Sequence, residues 1–566
     1  MRTSPRVAFG LFALTIKQDI TPTCSDVQPF SKVLDLKTGN VTNRPYITYE
    51  PDFWLLDGGY KFKPANDSIV HVGLMSLSMS DASGLFDIPP VLTITFSVVQ
   101  STDSLTLRFA QYSNDFANSI EIAYYDDFDA LIQTDTYALT TWEFSTGVAV
   151  ANFKKIIITF YSTNKPYRYL RLTGVDFGNL TYFTGTDIKS AIVVQEVNPL
   201  STSIPVDTLE LSLFSNDSTF SIINPTGIYA DLKTKQPMDV YEERGGEVIY
   251  MGQFYLDTWE NISNNEIKFN AISRVGVLES LTYLGGLWTE PITIEDLLLS
   301  IMSEINTPYE LDTELYGEEI LGWIPVTTYR EALQQIAFAV GGYVTCARSG
   351  VLQINKTILA IDLTTHEYTI TKSEKGQSQS LTLKTLVTGV EITAHNYVPI
   401  EETITQLYSG LLPIGLSTIT FNAPMHDLGI TGDGNIVTSG ANYAIVDVLT
   451  AGEIILTGVG YTDTKQIYAI NNTELDPNIP KNILSITDAT LVNPNNVATI
   501  TERVYNYYQQ RYLQKVKLYA PTAEPGKSVL IDTLYNQQIS GFIEKMSLDL
   551  AGGFIAQTEI IGVVNL

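Results

Sequence analysis

The sequence predicts a mainly β, multidomain protein, with an N-terminal β-sandwich, antiparallel β-barrels after it, and a few short α-helices. Three observations carry this. Segments with strand alternation or short apolar runs, such as VLTITFSVV (91–99), KIIITFY (155–161) and VDTLELSLF (206–214), recur along the chain between turn residues. Only three stretches hold the period of an amphipathic helix. Charged residues make up 17% and aromatics 11%, with 32 tyrosines, a composition of folded sheets and broad contact surfaces. At 566 residues the chain exceeds one core, and about 100–200 residues per domain gives roughly three or four domains.

Residues 1–65 read as an irregular, strand-containing arm. Its opening, MRTSPRVAFGLFALTIKQD, has a short apolar patch followed by Lys17 and Asp19 without a small-residue cleavage site, so it reads as a strand and not a signal peptide. Turn signals stand at Pro51 and Gly58-Gly59, and Trp54, Leu55 and Leu56 are the expected anchor of the arm. Residues 66–180 carry several short strands at near-regular spacing, including SLTLRFA (104–110), SIEIAYYD (119–126) and YLRLTGVDFG (169–178), which predicts a sandwich. Residues 186–284 predict an antiparallel barrel with hairpin turns at Arg244-Gly245-Gly246 and Asn264-Asn265.

Residues 285–364 predict a small α+β domain. Thr293 and Asp296 cap a first helix over 294–305, whose stripe is Ile294, Leu297, Leu298, Ile301 and Ile305. Thr328 and Glu331 form a capping box for a second over 328–340, with Leu333, Ile336, Ala337 and Val340 on one face and Gly341-Gly342 at its end. A strand pair over 343–354 then turns at Arg348-Ser349-Gly350. Residues 365–495, rich in Thr, Ile, Val and Gly, predict two or three antiparallel sheets. Residues 496–566 open with a helix over 496–513, marked by Val497, Ile500, Val504, Tyr508 and Tyr512, and continue as strands.

The balance of 34 basic and 62 acidic residues gives a formal charge of −28, with no Lys/Arg run. Stable nucleic-acid binding needs clustered cations to neutralise phosphates, so the chain repels nucleic acid. Cys24 and Cys346 make no redox or metal motif and read as free thiols, compatible with assembly in a reducing cytoplasm. No apolar run approaches the roughly 20 residues of a membrane-spanning helix.

The residues offer no catalytic, cofactor-binding or metal site. His71, His366, His395 and His426 are scattered, whereas a zinc site needs several ligands, two of them usually within one element. His426-Asp427 reads as a loop hydrogen bond. The segment 429–434 lacks the Lys-Ser/Thr of a phosphate loop and reads as a turn. Asp126, Asp127 and Asp129, and the pair Glu242-Glu243, are the candidate carboxylates for a glycosidase pair, and the three aspartates also for an oxygen-ligated Ca²⁺. The three aspartates read as a solvated loop.

Several segments resemble one family. REALQQIAFA (330–339) with RSG (348–350), MGQFYLDTWE (251–260), and the ending with LDLAGGF (548–554) are similar to baseplate and tail-hub proteins of phages and prophages of Gram-positive bacteria. ITYEPDFWLLDGGYKF (47–62) resembles the opening that precedes an adhesin-like module there. PYRYLRL (166–172) resembles the last strand of that module, a discoidin-like or carbohydrate-module-like insertion. The resemblance implies a non-enzymatic virion structural protein, assembled in the host cytoplasm. It would close the distal tail tube as a trimer and form the DNA exit channel. Expected partners are the distal tail protein, the tape measure and receptor-binding or spike proteins, with DNA only in transit and host cell-wall glycan as a possible ligand. The alternatives are a carbohydrate-binding adhesin and a cell-wall hydrolase.

Overall fold

The computed structural model describes residues 3–38, 41, 48, 50, 51, 53, 72–214, 232–245, 247–305, 307–360, 363–473, 476, 478–519, 523–533, 535 and 537–565. It is mainly β and multidomain, organised around one 16-stranded sheet. The N-terminal strand Thr3–Phe12 lies inside that sheet, between Pro237–Arg244 and Tyr169–Phe183. Val7 faces Val240 on one side and Phe183 on the other. Val7, Ala8 and Phe9 are all buried, so this apolar run is covered on both faces, as central strands are.

This corrects the expected arm. Residues 3–12 belong to the central sheet, and Ile20–Cys24 is an edge strand of the sandwich, paired with Val91–Thr102. Ile16, Ile20 and Leu36 lie in the sandwich core. The physical reason is long-range pairing, which no local pattern in 1–65 displays. Trp54, Leu55, Leu56, Gly58-Gly59 and His71 lie outside the described residues.

The sandwich has a five-stranded sheet ordered Ile20–Cys24, Val91–Thr102, Val150–Thr163, Ala117–Tyr125, Leu131–Ala138. Facing it are Leu74–Met79, Leu105–Phe109, Glu143–Ser145 and the first half of Tyr169–Phe183. Phe96 meets Phe153 and Phe177 edge-on at 5.3 and 5.5 Å. Each such buried ring contributes about 1.5–3 kcal/mol by burial. Tyr169–Phe183 is 15 residues long: 169–177 pairs within the sandwich, and 178–183 pairs with Thr3–Phe12. One continuous strand therefore ties the sandwich to the central sheet.

The barrel expected over 186–284 and the strands expected over 496–566 share that central sheet. Ile188–Glu196 pairs with Gln538–Asp549, and Met251, Phe254, Met546, Leu548 and Phe554 fill one core. Arg244 stands opposite Glu247 and Ser263 opposite Glu266, the pairings the expected hairpins require, while Gly246 of the first turn lies outside the described residues. Residues 365–383 join the same sheet and not the β-rich region that follows. Tyr368–Ile370 pairs with Ser528–Asp532, and Lys375–Leu383 with Tyr512–Tyr519.

The α+β unit follows its sequence closely. Thr293 caps Ile294–Glu304, and Thr328 with Glu331 makes the capping box of Tyr329–Val340. Gly341 ends that helix at φ 76°, a left-handed conformation that suits glycine. The stripe Leu333, Ile336, Ala337 and Val340 is buried, as are Ala332 and Phe338 on other faces, so the helix is enclosed. Gly342–Thr345 and Leu352–Lys356 form the expected pair.

Beyond it, Gly389–Leu412 and Gly452–Asn471 pair as one long antiparallel ribbon. A three-stranded sheet of Gly415–Thr420, Tyr443–Val448 and Gly434–Gly440 packs on its distal half around Ile419, Phe421, Val446, Ile454 and Leu456. The last helix is Val497–Gln509, shorter than the expected 496–513. Tyr512 instead opens the strand Tyr512–Tyr519, because its backbone pairs with Gly562.

Candidate functional site

The residues weighed for chemistry are dispersed. His366 Nε2 lies 2.8 Å from Ser540 Oγ. His395 is held between Asp463 at 2.8 Å and the Thr487 carbonyl at 3.1 Å. His426 Nδ1 meets Asp427 at 2.9 Å, at a bulge within the strand Met425–Thr431 and not in a loop. Among the described residues, no group of three or more His, Cys, Asp or Glu side chains could hold a metal. Gly432 turns the chain between two strands at φ 119°. Burial raises both thiols, Cys346 to about 12.

The carboxylates do not pair for glycoside chemistry. Glu242 and Glu243 are neighbours on one strand and so point to opposite faces. Glu242 is fully buried, which raises its pKa to about 7, while Glu243 is exposed near Arg6 at 3.7 Å. Asp126 accepts the backbone N–H groups of Phe128 and Ala130 at 2.9 and 2.8 Å, the geometry of an Asx turn. Asp129 pairs with Lys155 at 2.5 Å.

Two loop aromatics of the sandwich stand out in solvent, Phe128 (85% exposed) and Tyr167 (43%). They sit at opposite ends of the five-stranded sheet. Tyr125, beside Phe128, pairs with Lys155, whereas Ala117 pairs with Thr163, close to Tyr167. Nine strand residues, about 30 Å, separate those ends, so the two rings do not make one sugar platform.

Two polar constellations were missed by sequence reasoning. The first joins sandwich to central sheet. Arg108 donates through Nε to Glu143 at 2.7 Å and through Nη1 to Asp176. Lys17 reaches Asp176 at 2.7 Å, and the Tyr182 hydroxyl donates to Glu143. Burial alone would raise the Asp176 carboxyl, but Lys17 and Arg108 hold it below the usual carboxylate value. Arg6 stacks on Tyr241, 4.7 Å from the ring centre, at the same junction.

The second constellation lines a groove of about 710 Å³ between the capped helix and the last helix, with Glu318, Val340, Lys356, Asn496 and Arg503 on its walls. Arg503 donates to the Phe338 carbonyl, and Lys356 to Val340 O and Glu318, both at 3.2 Å. Both cations thus satisfy carbonyls at the end of the capped helix. Desolvation brings Arg503 down to about 10, still protonated at neutral pH. The alternation around Arg108 and the lone Arg503 in a helix gave no sign of partners so distant in sequence.

The arrangement is therefore one of junctions and surfaces. No protein-family model matches the chain, and no curated protein matches it in sequence. Among solved structures it is similar to the 43 kDa tail protein of prophage MuSo2 from Shewanella oneidensis, at 11% identity, covering 68% of this chain and 96% of that one, with a TM-score of 0.40. It is similar to a tail protein from Neisseria meningitidis MC58 at 10% identity, covering 68% and 93%, with a TM-score of 0.40. Prophage tail protein gp18 from Listeria monocytogenes EGD-e is similar at 12% identity, covering 69% and 91%, with a TM-score of 0.38.

Proposed function

We propose that this chain is a structural protein of a phage virion, a baseplate or tail hub at the distal end of the tail. In this reading three copies close the tube, leave a channel for DNA exit and dock other tail-tip proteins. One observation carries the reading. The segments that resemble the tail-hub family are far apart in sequence but adjacent in the fold. Met251 and Phe254 of MGQFYLDTWE share one core with Leu548 and Phe554 of the C-terminal LDLAGGF segment. The RSG turn comes up to the same strand, where Gly252 lies against the backbone of Cys346 and Arg348, while the REALQQIAFA helix fills a neighbouring core with Ile294, Leu297 and Ile354 and is linked onward to the last helix through Arg503 and Phe338.

The charge of −28 supports a lumen along which DNA slides without sticking, since phosphates need neutralising cations for affinity. Closure at three subunits requires a head-to-tail interface. Light scattering of the intact chain, alone and with neighbouring tail proteins, tests the ring, with a trimer mass expected. A monomer under both conditions contradicts it. A DNA shift assay at low salt tests the lumen, and tight binding there contradicts a non-sticking channel.

A further inference from the structure

The distal module of the long ribbon ends in an apolar apex. The strands Gly389–Leu412 and Gly415–Thr420 are joined at Pro413-Ile414. Leu411, Ile414 and Leu416 are 80, 68 and 70% exposed, and Leu449 on the adjoining turn is 54% exposed. Leu412 and Ile419 point into the module's core, so Leu411 and Leu416 face outward from its two sheets, with Ile414 at the tip between them. The apolar surface therefore wraps the end as a knob. It lies about 20 Å along the strand from Phe421, where the module is anchored through Asn442 to the α+β unit.

Charge defines what can cover the knob. Between Lys384 and Lys465 there is no Lys or Arg, against eight Asp and Glu. Glu453 stands directly opposite Leu411 across the ribbon, and Asp447 opposite Leu416. Asp433 accepts the Leu449 backbone N–H through its own carbonyl at 3.0 Å, which sets a third carboxylate at the rim. Among the described residues, none of these three carboxylates has a cationic partner. A second copy of the apex would bring like charges together, and an anionic lipid or nucleic acid would be repelled. Entry into a neutral bilayer would desolvate the rim carboxylates.

We propose that the apex is a plug for a partner protein whose socket is apolar and rimmed by lysine or arginine. Apolar side chains fill the socket, and the surrounding carboxylates meet the basic rim. This goes beyond the tail-hub reading and does not depend on it.

The test uses the intact chain and a synthetic amphipathic leucine–lysine peptide as the socket mimic, with hexalysine as the charge-only control. The variants are the triple substitution Leu411→Ser, Ile414→Ser, Leu416→Ser and the rim variant Asp433→Asn, Asp447→Asn, Glu453→Gln. All six positions are on the surface or partly so, and unchanged melting curves verify the fold. The leucine–lysine peptide is expected to bind the wild type at least tenfold tighter than either variant, with hexalysine binding the wild type and triple-Ser variant alike. Equal peptide binding by wild type and triple-Ser variant overturns the proposal. So does apex-dependent binding to phosphatidylcholine vesicles, or a wild-type dimer that the triple-Ser variant loses.

Discussion

Trp323 donates its indole N–H to the side-chain carbonyl of Asn442 at 2.6 Å. Asn442 is fully buried and returns a hydrogen bond to Ile324 O at 2.8 Å, so one amide fastens the distal β-module to the α+β unit. Asn442→Ala takes the partner from a part-buried indole donor and from the buried Ile324 carbonyl. The expected cost is about 1–3 kcal/mol for each stranded group. A lower melting temperature and faster proteolysis within 396–464 are expected, and wild-type behaviour in both would show that the contact is not an anchor.

Ile336 lies on the buried face of the capped helix, 1% exposed. Ile336→Asp places an unpaired carboxylate there, at an expected cost of several kcal/mol. The variant is expected to be insoluble or to melt far below wild type in a thermal scan. Normal folding and assembly would mean that this face is not core.

The sandwich includes more of the N-terminus than its internal strands. A fragment spanning 13–183 retains Ile16, Ile20 and Leu36 in the core together with the edge strand, and is expected to melt cooperatively. The shorter fragment 66–180 lacks them and exposes the edge of Val91–Thr102, so it is expected to aggregate or melt without cooperativity. Equal melting of the two fragments by calorimetry would show the N-terminal pieces to be dispensable.

Asp207 is buried, and desolvation raises its carboxyl from 3.8 to about 7 although it accepts the Glu196 backbone N–H at 2.9 Å. Because the folded-state value is raised, its favourable contribution is full below pH 4 and is lost as pH rises to about 7. Ionisation in the folded state then costs roughly 4 kcal/mol relative to the acid limit. Asp207→Asn keeps the acceptor oxygen and cannot ionise. The variant is expected to melt higher than wild type at pH 8 and to converge with it near pH 4. A melting-temperature difference independent of pH would contradict this.

Local signals in the sequence translated directly into structure. Thr328 and Glu331 lie three residues apart, and a capping box needs nothing else, so that helix began where expected. The two-residue turn at Asn264-Asn265 was likewise local. The N-terminal strand was different. Val7 finds its place between Val240 and Phe183, more than 170 residues away in each case, and its own segment shows only that it is a strand. The same holds for Arg108, whose partners Glu143 and Asp176 come from separate strands, and for the sharing of one core by Phe254 and Phe554. The shortened last helix has a mixed origin. Tyr508 and Tyr512 keep the helical period, but pairing of Tyr512 with Gly562 draws the chain into the sheet.

Electron cryo-microscopy of purified tails containing this chain is the decisive test of the proposed distal hub. A ring of three copies at the tail tip is expected, with the central sheets around the lumen and the ribbon modules projecting from it. A tip density that this fold does not fit, or the chain's absence from purified tails, would contradict the account.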